Sequence, residues 1–467
     1  MRMNANETAR PAATGRRPIC YYGDDFTGST DVLEALFRSG LKPVLFLEPP
    51  TAERLEGRFA GADAFGVAGV GRSMSPDEME RELRPIFETL KDAGASIVHY
   101  KICSTFDSSP DTGSIGKAAE IGRDVFGGRY IPLLVGVPYL GRYTLFGHHF
   151  ATAGEKVHRL DRHPTMSRHP VTPMDEADLR LHLAKQTPLS ASLLDILALE
   201  GEMKDVRSRL EALLRDEAPD IVLFDAFDEK RLRTAGRLML EEAERSGPLF
   251  VVGSSGIEYA IGACLEADGS IRGGAAETAV APVDRLLVVS GSCSPATERQ
   301  IAEALEAGFA GIRVPVRELI RPELADEARR RLLEEAGELL KAGRNVVLYS
   351  ASGPADPSIA ELRLALEAQG LRPEDSSRVL GAELGSLTRT LVARAGLSRV
   401  LIAGGDTSGY VARELGIHAL ECVSALAPGA PLCRAFSDEA ELDGLELVLK
   451  GGQVGGAGFF ERVLKGQ

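Results

Sequence analysis

The 467-residue chain contains no tryptophan, six cysteines and eight histidines, and its aromatic content is 6%. No two cysteines form a CxxC pair, so Cys20, Cys103, Cys264, Cys293, Cys422 and Cys433 do not read as a common zinc site. Unpaired thiols in mostly apolar surroundings fit a reducing, cytoplasmic setting. No stretch approaches the roughly 20 apolar residues that cross a bilayer, and the first 16 residues lack the apolar run of a secretory signal. Positive charge is also short. With 54 Lys and Arg against 68 Asp and Glu the formal net charge is −14, which argues against nucleic-acid and anionic-membrane partners. Small anions would instead need local sites built from loop amides, helix N-termini, a few cations or a metal ion. Neither a Walker A loop nor a GxGxxG dinucleotide fingerprint occurs, and there is no internal repeat.

What is present is an alternation of short apolar runs and amphipathic stretches, the pattern of parallel α/β sheets. Twelve strands are predicted: Pro18–Tyr22, Val44–Leu47, Ala64–Ala68, Ile97–Lys101, Ile131–Val135, Ile221–Phe224, Leu249–Val252, Leu286–Val289, Gly311–Val314, Asn345–Tyr349, Arg399–Ala403 and Leu445–Leu449. The length fits two or more cores. A segment rich in small residues, EADGSIRGGAAETAVAPV, reads as a linker. The organisation expected is a flexible N-terminus (1–17), a first α/β domain (18–265), the linker (266–283) and a second α/β domain (284–467). Each domain should carry a mostly parallel sheet flanked by helices, with the active site in the cleft between them. The stretch 136–188 holds six histidines and several prolines and reads as a long irregular excursion.

Four glycine-rich turns follow apolar strands, where ligands of open α/β sheets sit. They are Gly23–Gly28 (GDDFTG), Ser290–Pro295 (SGSCSP), Gly404–Gly409 (GGDTSG) and Lys450–Gly456 (KGGQVGG). Glycine allows close backbone approach to phosphate, and helix-start amides supply donors. In GGDTSG, Asp406 stands between glycines and hydroxyls before a helix. It is read as holding Mg²⁺ or orienting phosphates, or else as a helix cap with Thr407. Ser294-Pro295 opens a helix, leaving Ser292 freer to touch a nucleotide. Asp24 and Asp25 are adjacent carboxylates suited to sugar hydroxyls or to a general base, or to capping the following helix. Lys101, followed by hydroxyl residues including Ser104, and Arg72 after another strand are candidates for a carboxylate pocket. Arg142 stands at the start of the excursion.

Taken together, DDFTG at Asp24–Gly28, VSGSCSPAT at Val289–Thr297, GGDTSG and KGGQVGG resemble the four-carbon acid sugar kinase family, over nearly the whole chain. The resemblance implies ATP-dependent phosphorylation of a hydroxyl on an acid such as threonate, erythronate or 3-oxo-tetronate. It implies ATP contacts at Ser292, at Gly404, Gly405, Asp406 and Thr407, and at Gly451 with its neighbours Gly452 and Gly455. Mg²⁺ is expected at Asp406 and the sugar acid near Asp24, Asp25, Arg72, Lys101, Ser104 and Arg142. Asp25 and Asp406 are both candidates for the catalytic base. Many members carry a KxDSTLRGN-like stretch. Here Lys101–Ser108 reads KICSTFDS, with Cys103 replacing an Asp and Phe106-Asp107 replacing Leu-Arg. That departure points to a related oxo or branched acid, such as an oxo-isoapionate. A non-catalytic sugar-acid sensor and a nucleotide-linked oxidoreductase are the rival readings, and the sequence leaves homo-oligomerisation open.

Overall fold

The computed structural model describes residues 17–169, 171–274, 280–372 and 375–467. The expected flexible segment lies outside these residues except for Arg17, whose guanidinium donates to the Ala62 carbonyl. Part of the expected linker, 275–279, also lies outside them.

The strands are β1 (Ile19–Gly23), β2 (Pro43–Phe46), β3 (Ala64–Ala68), β4 (Ile97–Lys101), β5 (Ile131–Leu134), β6 (Arg142–Leu145), β7 (His148–Ala153), β8 (Lys156–Arg159), β9 (Ala191–Leu194), β10 (Ile221–Phe224), β11 (Leu249–Gly253), β12 (Leu287–Ser290), β13 (Ala310–Arg313), β14 (Val346–Tyr349), β15 (Arg399–Ala403), β16 (Ile417–Ala427), β17 (Ala430–Ser437) and β18 (Glu446–Lys450). All twelve predicted strands are found, within a residue or so at each end. Runs such as ICYYG in β1 and IVLF in β10 are buried along their whole length, as strands covered by helices on both faces must be. The helices begin where local chemistry dictates. Pro76–Asp92, for example, starts at Ser75, whose backbone amide and hydroxyl donate to the Glu78 carboxylate while Pro76 occupies the first turn.

The N-terminal half is a parallel block ordered β2-β3-β1-β4-β11-β5-β10-β9, and the C-terminal half a parallel block ordered β13-β14-β12-β15-β18. The two-domain expectation holds at the level of these blocks, but their sheets are continuous. The antiparallel hairpin β16–β17 pairs with β2 on one side and β18 on the other, making one sheet of 15 strands. Three antiparallel pairings in succession leave the two blocks running in opposite senses. The hairpin has three register irregularities, where strands bend and twist more strongly. The turns at the strand carboxyl ends of both blocks line one cleft. The stretch 136–188 is not the irregular excursion expected. It contains a three-stranded antiparallel sheet, β6-β7-β8, whose alternating polar and apolar residues hide it from a search for apolar runs.

The halves are also tied by a buried carboxylate. Glu34, 2% exposed in the helix Phe26–Arg38, accepts the Gly429 amide at the tip of the β16–β17 hairpin at 2.7 Å. Burial pushes its pKa up to about 7. The folded state therefore holds an extra proton between the ordinary carboxylate range and pH 7, and stability is lost as pH rises across that window. Glu34→Gln keeps the acceptor without the charge. Its stability should match the parent near pH 5 and exceed it at pH 8 by on the order of 3 kcal/mol. Urea unfolding at the two pH values checks this, and parallel stability curves would count against it.

Candidate active site

Each glycine turn sits at the carboxyl end of a strand, and the two halves bring their turns together. A cleft of ≈ 520 Å³ is lined from the N-terminal half by Asp25, Thr27 and Arg72, and from the C-terminal half by the turns after β12, β15 and β18. DDFTG and GGDTSG pack directly on each other: a Cβ on Gly409 would stand 2.9 Å from Phe26 Cβ. A Cβ on Gly451 would stand 3.2 Å from Thr27 Cγ2. Thr27 Oγ1 is buried without a hydrogen-bond partner among the described residues, next to this approach.

On the N-terminal side, Arg72 is the hub. Its Nη2 lies 2.9 Å from Asp24 Oδ1 and 3.0 Å from Asp25 Oδ1, and its Nη1 lies 4.0 Å from Asp107 Oδ2. Burial pushes Asp24 up to about 6, against the opposing pull of Arg72. The surrounding carboxylates keep the guanidinium charged. Asp25 caps a helix and also lines the cleft. Its Oδ1 accepts the Gly28 amide at 2.8 Å, capping the helix Phe26–Arg38, and its carboxylate still lines the cleft. A Cβ on Gly28 would stand 2.4 Å from Asp25 Oδ1 and 2.9 Å from Lys101 Nζ, so a side chain here would displace both charged groups. Lys101, buried at the end of β4, donates to the Ile102 carbonyl and lies 3.9 Å from Asp31 Oδ2.

On the C-terminal side, Ser294 caps the helix Pro295–Glu306 and its hydroxyl donates to the Gly452 carbonyl, while Ser292 lines the cleft. Gly404, at φ +154, caps the helix Gly405–Glu414 and makes no side-chain cap hydrogen bond. Thr407 lines the cleft rather than capping, 2.6 Å (Cγ2) from where a Cβ on Gly291 would stand. The side chain of Asp406 lies outside the described residues. A second cavity of ≈ 640 Å³ adjoins the cleft, sharing Gly291, Cys293, Ser377 and Thr407, and is walled by Val316, Ile359, Leu362, Leu366 and Leu380.

Five sequence candidates, Asp24, Lys101, Ser104, Arg142 and Gly455, fall outside the cleft lining. The Arg142 guanidinium donates to the Leu140 carbonyl at 2.8 Å, which makes it a support of β6. Gly455, at φ +85, packs against Phe459, and its carbonyl accepts from Gln300. Ser104 contributes its backbone carbonyl, held by His149 at 2.8 Å. The sequence reading placed Thr27, Asp107 and Lys450 within its motifs but did not single them out as site residues. Lys450 is fully buried under its own turn, with Nζ donating to Thr297 Oγ1 at 2.8 Å, and burial lowers its pKa to about 8. The available signal was a charged residue ending an apolar strand. Among the described residues, no group of three or more His, Cys, Asp or Glu is arranged to hold a metal ion, and no helix is long and apolar enough to cross a membrane.

The chemistry laid out is that of a two-sided site, carboxylates and cations facing glycine turns. Residues 19–261 match the family described as a sugar-binding N-terminal domain, and residues 287–460 match the one described as a nucleotide-binding C-terminal domain. The chain is 44% identical to a 3-oxo-isoapionate kinase of Paraburkholderia graminis, over 99% of this chain and 96% of the relative. It is 30% identical to a 3-oxo-tetronate kinase of Pseudomonas savastanoi, over 95% of each. The crystal structure of a Salmonella typhimurium protein named as a tRNA synthase superposes with a TM-score of 0.76 at 26% identity, covering 95% of this chain and 98% of that one. The chain is thus built as a two-domain sugar kinase. It belongs to the four-carbon acid sugar kinase family.

Proposed function

We propose that this chain transfers the γ-phosphoryl group of ATP to a hydroxyl of a 3-oxo sugar acid, with 3-oxo-isoapionate its preferred acceptor. The observation that carries the reading is the cleft itself, which sets Asp25 and Arg72 against the turns at Gly291–Ser294, Gly404–Gly405 and Gly451–Gly452.

The acid binds on the N-terminal side. Arg72 offers Nη1, which is 4.0 Å from Asp107 Oδ2 and farther from a carboxylate than Nη2, to the substrate carboxylate, while Asp24 and Asp107 accept its hydroxyls. On the other side, amides of the three turns and the hydroxyls of Thr27, Ser292 and Thr407 cradle the triphosphate. The adenine lies in the adjoining apolar cavity. Mg²⁺, when bound, would neutralise phosphate charge, and Asp406 would be the protein carboxylate to hold it. The acceptor oxygen attacks the γ-phosphorus, the bond to the β–γ bridging oxygen breaks, ADP leaves, and Asp25 takes the hydroxyl proton. Positioning and charge stabilisation supply most of such a rate enhancement. The free thiols suit a cytoplasmic enzyme.

The preference for the branched acid is supported by the 44% relative and by Cys103, a neutral thiol where many members carry a carboxylate. An ADP-release assay over 3-oxo-isoapionate, 3-oxo-tetronate, threonate and erythronate tests it. We expect kcat/KM for 3-oxo-isoapionate about tenfold or more above the rest. Faster turnover of 3-oxo-tetronate would overturn the substrate assignment, and no ADP with any acid would overturn the kinase reading.

A further inference from the structure

The loop after β4 carries three groups toward Arg72. Thr105 Oγ1 donates to Asp107 Oδ1 at 2.7 Å, and Cys103 Sγ lies 3.0 Å from Thr105 Oγ1. Burial pushes the Cys103 thiol up to about 11, so it keeps its proton and donates to the Thr105 oxygen. The relay ends on Asp107, whose other oxygen faces Arg72. Between Thr105 and Asp107 the backbone is strained: Phe106 has φ +59, with its ring fully buried. A bulky residue keeps a left-handed conformation only where its surroundings over-determine it.

Two histidines of the 136–188 region provide that constraint, one at each end. His149, on β7, lies with Nε2 2.8 Å from the Ser104 carbonyl and Nδ1 3.0 Å from Thr144 Oγ1. A carbonyl only accepts, so Nε2 carries the proton and the Thr144 hydroxyl donates to Nδ1. Thr144 is fixed in turn by reciprocal backbone bonds with Ala226, just past β10. His182, in the short helix Leu179–Leu183, places Nε2 3.2 Å from the Ser108 carbonyl and sets its ring edge-on to Phe106 at 5.7 Å. Gln186 adds a bond to Ser108 Oγ at 2.9 Å. Burial lowers both imidazole pKa values, His149 to about 4, which fits their acting as uncharged struts.

We propose that His149 and His182 are positioning residues for sugar-acid recognition: they clamp the two ends of the segment Ser104–Ser108, hold Phe106 in its left-handed shape, and so set Thr105 and Asp107 against Arg72. The proposal rests on the reading of Asp24 and Arg72 as the acid-binding side of the cleft. A packing role alone would weaken the whole fold and both substrates alike, whereas a clamp on this loop acts on one substrate.

The test is steady-state kinetics of the full chain, with ATP and 3-oxo-isoapionate varied separately. His149→Ala should raise KM for the acid about tenfold or more, with KM for ATP within about twofold of the parent. His149→Gln, which carries an amide N–H to the Ser104 carbonyl, should recover most of the loss. Thr144→Val, which removes only the donor to Nδ1, should raise the acid KM severalfold. If His149→Ala fails to fold, the latter two variants decide by the same split. An unchanged acid KM, or equal losses for both substrates, overturns the clamp. Asp24→Asn separates this from the underlying reading. If that variant leaves the acid KM unaltered, the site assignment falls. If it raises the acid KM while the histidine variants do not, only the clamp falls.

Discussion

Asp25→Asn should lower kcat by about 10²–10⁴-fold while leaving the fold intact. The range is that of losing a positioned general base. The substitution separates the two tasks the structure gives this residue. As the cap of the helix Phe26–Arg38, Asp25 accepts the Gly28 amide through Oδ1. Asparagine is as good a cap as aspartate, so stability should change by only a few tenths of a kcal/mol. As a carboxylate lining the cleft, 3.0 Å from Arg72 Nη2, it can take a proton from an acceptor hydroxyl, and the amide cannot. Asp25→Ala removes both functions and should cost about 1 kcal/mol of stability in addition. The measurement is single-turnover phosphoryl transfer beside a urea melt. Activity of Asp25→Asn within tenfold of the parent would pass the base role to Asp406, the other candidate, and Asp406→Asn would then show the loss.

Why the sequence revealed some of this and not the rest has a physical explanation. Strands such as β1 and β15 are buried on both faces and read as unbroken apolar runs, so they were legible residue by residue. β7 (HHFATA) and β16 (IHALECVSALA) are antiparallel and mix polar with apolar residues, and they were missed. The joining of the two blocks into one sheet was hidden for a different reason. It rests on pairs such as Val44 with Glu421, contacts between residues hundreds of positions apart that no local pattern encodes. The glycine turns were legible because several of them follow apolar strands, where ligands of open α/β sheets sit. The supports of those turns were not. His149 is one of six histidines in its region, and it is buried, as His163 and His182 are, only because of the tertiary packing of that region. Arg142, the more conspicuous residue by charge, proves to be bound by carbonyls of its own hairpin.

Lys450→Met should make the protein more stable and a much poorer user of ATP. Lys450 is a fully buried cation whose recorded partners are a hydroxyl and a carbonyl, Thr297 Oγ1 at 2.8 Å and Gly452 O at 3.4 Å, and it forms no ion pair among the described residues. Burying an ammonium without a counter-ion is costly, and burial alone accounts for its lowered pKa. A chain of this net charge has carboxylates to spare, so a buried cation with none beside it, beneath a glycine turn of the cleft, suits the proposed role of meeting an anion that comes and goes. Methionine fills the same space without the charge, and Thr297 Oγ1 keeps its own bond to Gly452 O at 2.9 Å, so the turn retains a support. The expected result is a rise in melting temperature with a fall in kcat/KM for ATP of about 10²–10³-fold, the scale of losing one preorganised charge at a transferring phosphoryl group. A pH profile makes the assignment specific. With a folded pKa of about 8, Lys450 is charged below that value, so the parent's kcat/KM for ATP should decline as pH rises through 8. The stability sign is opposite: between pH 8 and the ordinary lysine value the unfolded chain binds the extra proton, so the fold gains stability as pH rises across that interval. Lys450→Met should abolish both slopes. A variant less stable than the parent, or one that keeps the alkaline limb of the ATP profile, would show that the buried ammonium serves the turn's packing and not the triphosphate.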